Sequence, residues 1–220
     1  MDEAENRLMD KTDEGLRVGA DGVCRCWWCG DAPDYQHYHD TEWGRPEGRD
    51  DRLFEKLVLE GFQAGLSWIT VLRKRERFRR AFAGFDWQVM ARFDEADVAR
   101  LLADPGLIRH RGKIEAAINN ARRMEDLLAE TGSFARFVWQ FEPVPERRPE
   151  RVTYDAVKAG PPPREARAMA KALRARGWRF VGPVTVYSLF QAEGLVNDHL
   201  PGCPRRAEVA ADRAAFTRPV

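Results

Sequence analysis

"DRLFEKLVLEGFQAG", residues 51–65, sets Leu53, Phe54, Leu57 and Val58 at the spacing of one helical face. The same period runs outward from it. "LSWITVLRKRERFRRAFAG" (66–84) begins apolar, turns basic and ends on Gly84, where a C-terminal cap is expected. "FDEADVARLLAD" (93–104) offers Asp94 as an N-cap. Helical patterns continue in "KIEAAINNARRMEDLLAETG" (113–132), "SFARFVWQF" (133–141), "PREARAMAKALRARG" (163–177) and "VTVYSLFQAEG" (184–194). Gly132, Gly177 and Gly194 sit where these helices should end. There is no Asn-Gly hairpin and no sustained alternation, so the expected class is all-α. "EPVPERRPERVTYDAVKAGPPP" (142–163), rich in proline and charge, reads as a long connection between two helical lobes. Residues 1–22 and 206–220 are expected as flexible tails around one domain over 23–205.

The chain has 220 residues, 44% hydrophobic and 32% charged, enough to bury a core. A net charge of +1 gives no bulk nucleic-acid signal and leaves a local basic face open. No apolar run approaches membrane-spanning length, and the polar N-terminus has no apolar signal core. A cytoplasmic protein without a membrane partner is expected. In that compartment cysteines serve as ligands or free thiols more than as disulfides.

"CRCWWCG" (24–30) and "VNDHLPGC" (196–203) hold all four cysteines and one histidine. His199 and Cys203 form an H-x3-C pair bent by Pro201 and Gly202, a spacing suited to a tetrahedral metal. The other pair comes from the N-terminal cluster. Cys26 with Cys29 gives a Cys3His set, and Cys26 with His39 gives Cys2His2. Either would be a closed, structural site; the plainer alternative is that His199 and Cys203 lie in a loose tail and Cys24 to Cys29 are free thiols. No thioredoxin-like βαβ pattern surrounds the C-x2-C, which argues against a redox motif.

Glu60 lies inside the apolar stretch 51–65. A buried carboxylate there is costly and is a functional candidate. The plainer alternative is that it faces outward or pairs with an arginine. "PDYQHYHDTEWG" (33–44), read as a loop, concentrates Tyr35, Tyr38 and Trp43, and Trp68 follows Glu60 by about two helical turns. Aromatic walls around a fixed acceptor suit a flat, cationic ring.

The ordered blocks "CWWCGDAPDYQHYHDTEWGRP", "LFEKLVLEGFQAGLSWITVLRKRE", "IRHRGKIEAAINNA", "FVWQF" and "GWRFVGPVTVYSLFQAEGLVNDH", with the final Gly202-Cys203, resemble the 3-methyladenine DNA glycosylase I family of the helix-hairpin-helix glycosylase group. The resemblance runs from about Cys26 to Cys203. It implies a structural zinc held by Cys26, His39, His199 and Cys203, and no organic cofactor. It also implies a base-binding set of Glu60, Tyr38 and Trp68, with Tyr35, Trp28 and Trp43 nearby, Glu60 being the catalytic carboxylate. The implied substrate is double-stranded alkylated DNA, the products free 3-methyladenine and an abasic site, and the active form a monomer.

"RGWRFVGPVT" (176–185) has the form of the hairpin, with Gly182 exposing backbone N–H groups to a phosphate. Arg109, Arg111 and Lys113 are further candidates for the DNA backbone. Asp198 is read as support for the zinc region rather than as a catalytic aspartate. No lysine lies between the hairpin and Asp198, which implies a monofunctional enzyme. A binding module that keeps the scaffold without cleaving is the alternative, and the presence of Glu60, Tyr38 and Trp68 together favours the enzyme.

Overall fold

The computed structural model describes residues 15–144, 146 and 152–219. Leu16–Val18 (β1) pairs antiparallel with Cys24–Cys26 (β2), in the register Leu16↔Cys26, Arg17↔Arg25 and Val18↔Cys24. A 3-10 turn, Trp27–Cys29, leads into α1 (Pro33–Thr41), α2 (Asp50–Gln63), α3 (Trp68–Leu72) and α4 (Arg75–Ala81). After a second 3-10 turn, Ala83–Phe85, come α5 (Trp87–Met90), α6 (Glu95–Ala103), α7 (Arg111–Thr131) and α8 (Phe134–Trp139). The last four helices are α9 (Tyr154–Ala159), α10 (Arg164–Ala175), α11 (Pro183–Ala192) and α12 (Arg205–Ala215).

The chain forms two units: one of residues up to Pro46, Pro143–Pro161 and Phe190–Thr217, the other of Glu47–Glu142, Pro162–Leu189 and the C-terminal Arg218–Val220. The 142–163 stretch is where the chain passes from the second unit to the first and back, and it holds α9.

In the second unit α2 is central. Every residue from Leu53 to Phe62 is buried, including Glu55, Lys56 and Glu60, so the helix has no solvent side along that run. Glu55 is neutralised by Arg52 (3.1 Å) and Arg79 (2.8 Å). Asp50, in the first turn, accepts from Ser133 Oγ (2.9 Å) and the Ala135 N–H (2.8 Å), fixing α8 against α2. Phe62 packs on Phe78 at 4.6 Å, and Phe134 stacks on Trp178 at 5.6 Å. Asp94 caps α6 in a reciprocal capping box with Asp97. His110 caps the start of α7, and Gly132, with φ +77°, closes its end. The 66–84 stretch is two helices, α3 and α4, with an interruption at Arg73–Lys74.

In the first unit Leu16, Cys26, Val152, Leu200 and Cys203 form one apolar cluster, with Trp27 and Tyr154 against it. Gly202 has φ +90°, and a Cβ there would lie 2.7 Å from Leu16 Cδ1, so this turn requires glycine.

Three features depart from the sequence reading. The β1–β2 hairpin makes the fold predominantly rather than entirely helical, and β1 lies inside the expected tail 1–22. Its strands span three residues each, too short to show alternation. The stretch 33–44 is not a loop, since α1 occupies most of it, with Pro33 at its first position. Its buried residues, Tyr38 and His39, form no aliphatic stripe to betray a helix. Finally, α12 lies in the expected tail 206–220, with Val209 buried and Arg45 paired to Glu208 (3.2 Å) and Asp212.

Candidate functional site

Within the first unit, Cys26 ends β2, His39 stands in the last turn of α1, and His199 and Cys203 come from the loop after α11. One ligand atom from each lies within 4.8 Å of all the others, and all four residues are buried. Cys26 Sγ is 3.8 Å from His199 Nδ1; Cys203 Sγ is 3.5 Å from His199 Nδ1 and 3.7 Å from His39 Nε2.

Each histidine is oriented by its other nitrogen. His39 Nδ1 meets Asp40 Oδ1 at 2.8 Å, leaving Nε2 for the cluster. His199 Nε2 meets the Trp43 carbonyl at 3.1 Å, leaving Nδ1. Arg25 in turn holds Asp40 at 2.8–3.0 Å and Asp21 at 2.7–2.9 Å. Burial works against the Asp40 charge, yet the hydrogen bonds from Arg25 and His39 hold its carboxyl below the ordinary value. The hydrogen bond between the two clustered thiols, followed by burial, raises Cys26, and the same bond lowers Cys203. Two cysteine sulfurs and two oriented imidazoles, the latter fixed by outer partners, make a donor set suited to a soft or borderline divalent cation.

Cys29 is excluded from this group. Its thiol donates to the Cys26 carbonyl at 3.1 Å, and burial pushes it up to about 12. Of the two ligand sets the spacing left open, the structure assembles Cys2His2. His37 is exposed and Cys24 is half-buried, both outside the cluster.

The aromatic residues of this unit gather on Trp28. Its ring lies 5.1 Å from Tyr35, 6.3 Å from Tyr38, 5.2 Å from His39 and 4.8 Å from Trp43. Trp43, expected beside a base, packs edge-on against His199 at 4.7 Å and supplies that residue's carbonyl partner. Asp198 accepts from Gln191 Nε2 at 2.8 Å, whereas the acidic partner of a clustered histidine is Asp40. Sequence reading missed Asp40 and Arg25; the signal available was an aspartate directly following His39.

In the second unit Glu60 is 5% exposed and Trp68, at the start of α3, is 7% exposed. Lys56 Nζ stands 4.8 Å from the Trp68 ring centre. The 176–182 turn joins α10 to α11, with Gly177 at φ +79° and Phe180 at φ +55°. Asn120 clamps this turn, donating to the Arg179 carbonyl (2.9 Å) and accepting the Arg179 N–H (2.8 Å). A Cβ on Gly182 would meet nothing within 4 Å, so there is open space beside its Cα just before α11. Arg109 is exposed, and Arg111 pairs with Glu95 (2.8 Å) and Glu115 (3.3 Å). Lys113 is buried, its ammonium donating to the Phe62 and Ala64 carbonyls.

The family model described as Methyladenine glycosylase matches residues 28–206. The chain belongs to this methyladenine glycosylase family. It is 46% identical over 179 residues to DNA-3-methyladenine glycosylase 1 of Escherichia coli (strain K12), covering 81% of this chain and 95% of that protein. A crystal structure of 3-methyladenine DNA glycosylase I is 48% identical with a TM-score of 0.75, covering 82% of this chain and 98% of that one. A tyrosine-to-phenylalanine variant of 3-methyladenine DNA glycosylase I, solved in complex with 3-methyladenine, is 34% identical with a TM-score of 0.73, covering 80% and 93%.

Proposed function

We propose that the chain excises 3-methyladenine from alkylated DNA by hydrolysing the N-glycosidic bond, as a monofunctional enzyme of base excision repair. The observation that carries this reading is the buried Glu60 on α2, in a family with a relative solved bound to 3-methyladenine. The damaged nucleotide leaves the duplex before reaction, at less cost than an intact one. Glu60 accepts from the amino edge of the base in a low-dielectric setting, where such a bond is strong. Trp68, in the same unit as Glu60, supplies aromatic surface for the cationic ring. The glycosidic electron pair departs with the base and neutralises its charge. Water then bonds to C1′ of the oxocarbenium-like sugar and releases a proton, giving an abasic site. The test is release of free 3-methyladenine from alkylated duplex without added cofactor.

Zinc is proposed for Cys26, His39, His199 and Cys203. Zn–S near 2.3 Å and Zn–N near 2.0 Å in a tetrahedron require S···N separations of roughly 3.5 Å. The observed 3.5, 3.7 and 3.8 Å suit that ion. Four protein ligands give it a structural part, joining the N-terminal segment of the first unit to its C-terminal one. Trp43 is assigned to the support of His199 rather than to the base.

For the duplex, Gly182 in a helix-hairpin-helix turn and the Arg109 and Arg111 side chains are proposed to meet phosphates. Among the described residues no helix is long and apolar enough to cross a membrane. A monomer acting on chromosomal DNA in the cytoplasm completes the proposal.

A further inference from the structure

Lys113 is a buried cation for which base excision, as described above, has no part. It sits in the first turn of α7 at 7% exposure. Its ammonium donates to the Phe62 carbonyl at 2.9 Å and to the Ala64 carbonyl at 2.5 Å. Both carbonyls belong to the end of α2, where Ala64 leaves the helix (ψ 117°) and Gly65 turns at φ +79°. A helix C-terminus carries partial negative charge and orphan carbonyls, so a cation there is well matched. The grip falls on backbone between Glu60, one turn earlier, and Trp68, one turn later. Burial lowers the Lys113 pKa, so keeping the ammonium there costs solvation that a surface lysine would retain. The 176–182 turn has its own clamp in Asn119, on the Gly177 carbonyl (2.9 Å), and Asn120.

We infer that Lys113 is a positioning residue for base excision: its ammonium fixes the Phe62–Ala64 backbone and thereby the geometry of the Glu60 carboxylate relative to the Trp68 ring, rather than meeting a phosphate. The inference rests on the part assigned to Glu60 and Trp68 in the proposed function. A displacement of about 1 Å in such a pair costs on the order of a hundredfold in rate.

The experiment compares wild type with Lys113→Met, of similar length but uncharged. Single-turnover release of 3-methyladenine from a lesion-bearing duplex falls about tenfold to hundredfold. Binding of free 3-methyladenine, followed by tryptophan fluorescence, weakens in parallel, while affinity for undamaged duplex is unchanged. Lost duplex affinity with normal base release makes Lys113 a backbone contact and overturns the inference, as does an equal loss of both. If Lys113→Met does not fold, Lys113→Arg decides. Its planar fork does not reproduce the ammonium's two bonds, so base release falls with duplex affinity intact; no change, or equal losses, overturns the inference. Unaltered release in Lys113→Met beside an active wild type contradicts this inference alone, whereas an inactive wild type contradicts the glycosylase reading itself.

Discussion

Glu60 was visible in the sequence as a carboxylate among aliphatic residues, and spacing could not say which way it pointed. The alternative of an outward-facing side chain depended on α2 having an outer face, which the buried run Leu53–Phe62 removes. Glu60→Gln keeps the shape and removes the charge. A hydrogen bond to a charged group is worth about 1.5–3 kcal/mol, so base release should fall about tenfold to hundredfold at unchanged melting temperature. An equal loss of thermal stability would mark Glu60 as structural instead. Asp40 is the counterpart at the Cys/His cluster, orienting His39 while Arg25 orients it. Asp40→Asn is expected to weaken metal retention about 10- to 100-fold, read by competition with a chelator. Retention equal to wild type would remove Asp40 from the site.

At the scale of elements, caps and periods were legible and tertiary burial was not. Asp94 was readable as an N-cap because an aspartate preceded a periodic segment, and α6 begins there with both halves of its capping box. Asp94→Ala should lower unfolding free energy by about 1 kcal/mol in a urea titration, with no change in base release. The helix α1 was not legible because the residues it buries are a tyrosine and a histidine, whose place depends on Trp28 and the Cys/His cluster. Nor was the lysine that holds the end of α2. Lys113 resembled a phosphate contact in "IRHRGK", and only the packing of α7 against α2 turns it inward. Its lowered pKa has a signed consequence. The unfolded chain binds more protons than the folded one between the lowered value and about 10.4, so wild-type stability rises with pH across that window. Lys113→Met lacks this contribution, and the stability difference between the two proteins should therefore move in favour of the wild type as pH rises. A pH-independent difference would show that the ammonium titrates as in the unfolded chain.

Over the whole molecule, the order of blocks along the chain made the family legible before any geometry, and the match over 28–206 agrees. Local spacing permits both Cys29 and His39 as the fourth member; the family resemblance chose His39, and His39 is the one that lies with Cys26, His199 and Cys203 in the folded chain. That group joins segments distant in sequence, so metal loss should loosen the first unit broadly. Cys203→Ser, or prolonged chelation, is expected to remove about one zinc per chain and lower the melting temperature. A full metal complement in Cys203→Ser contradicts the ligand set. Glycosylase activity is decided by incubating the purified protein with methylated duplex DNA and measuring the free bases released. Wild type is expected to liberate 3-methyladenine without added cofactor, leaving abasic sites with intact strands, and Glu60→Gln to be strongly impaired. A wild type that binds the damaged duplex yet releases no 3-methyladenine would contradict the glycosylase reading.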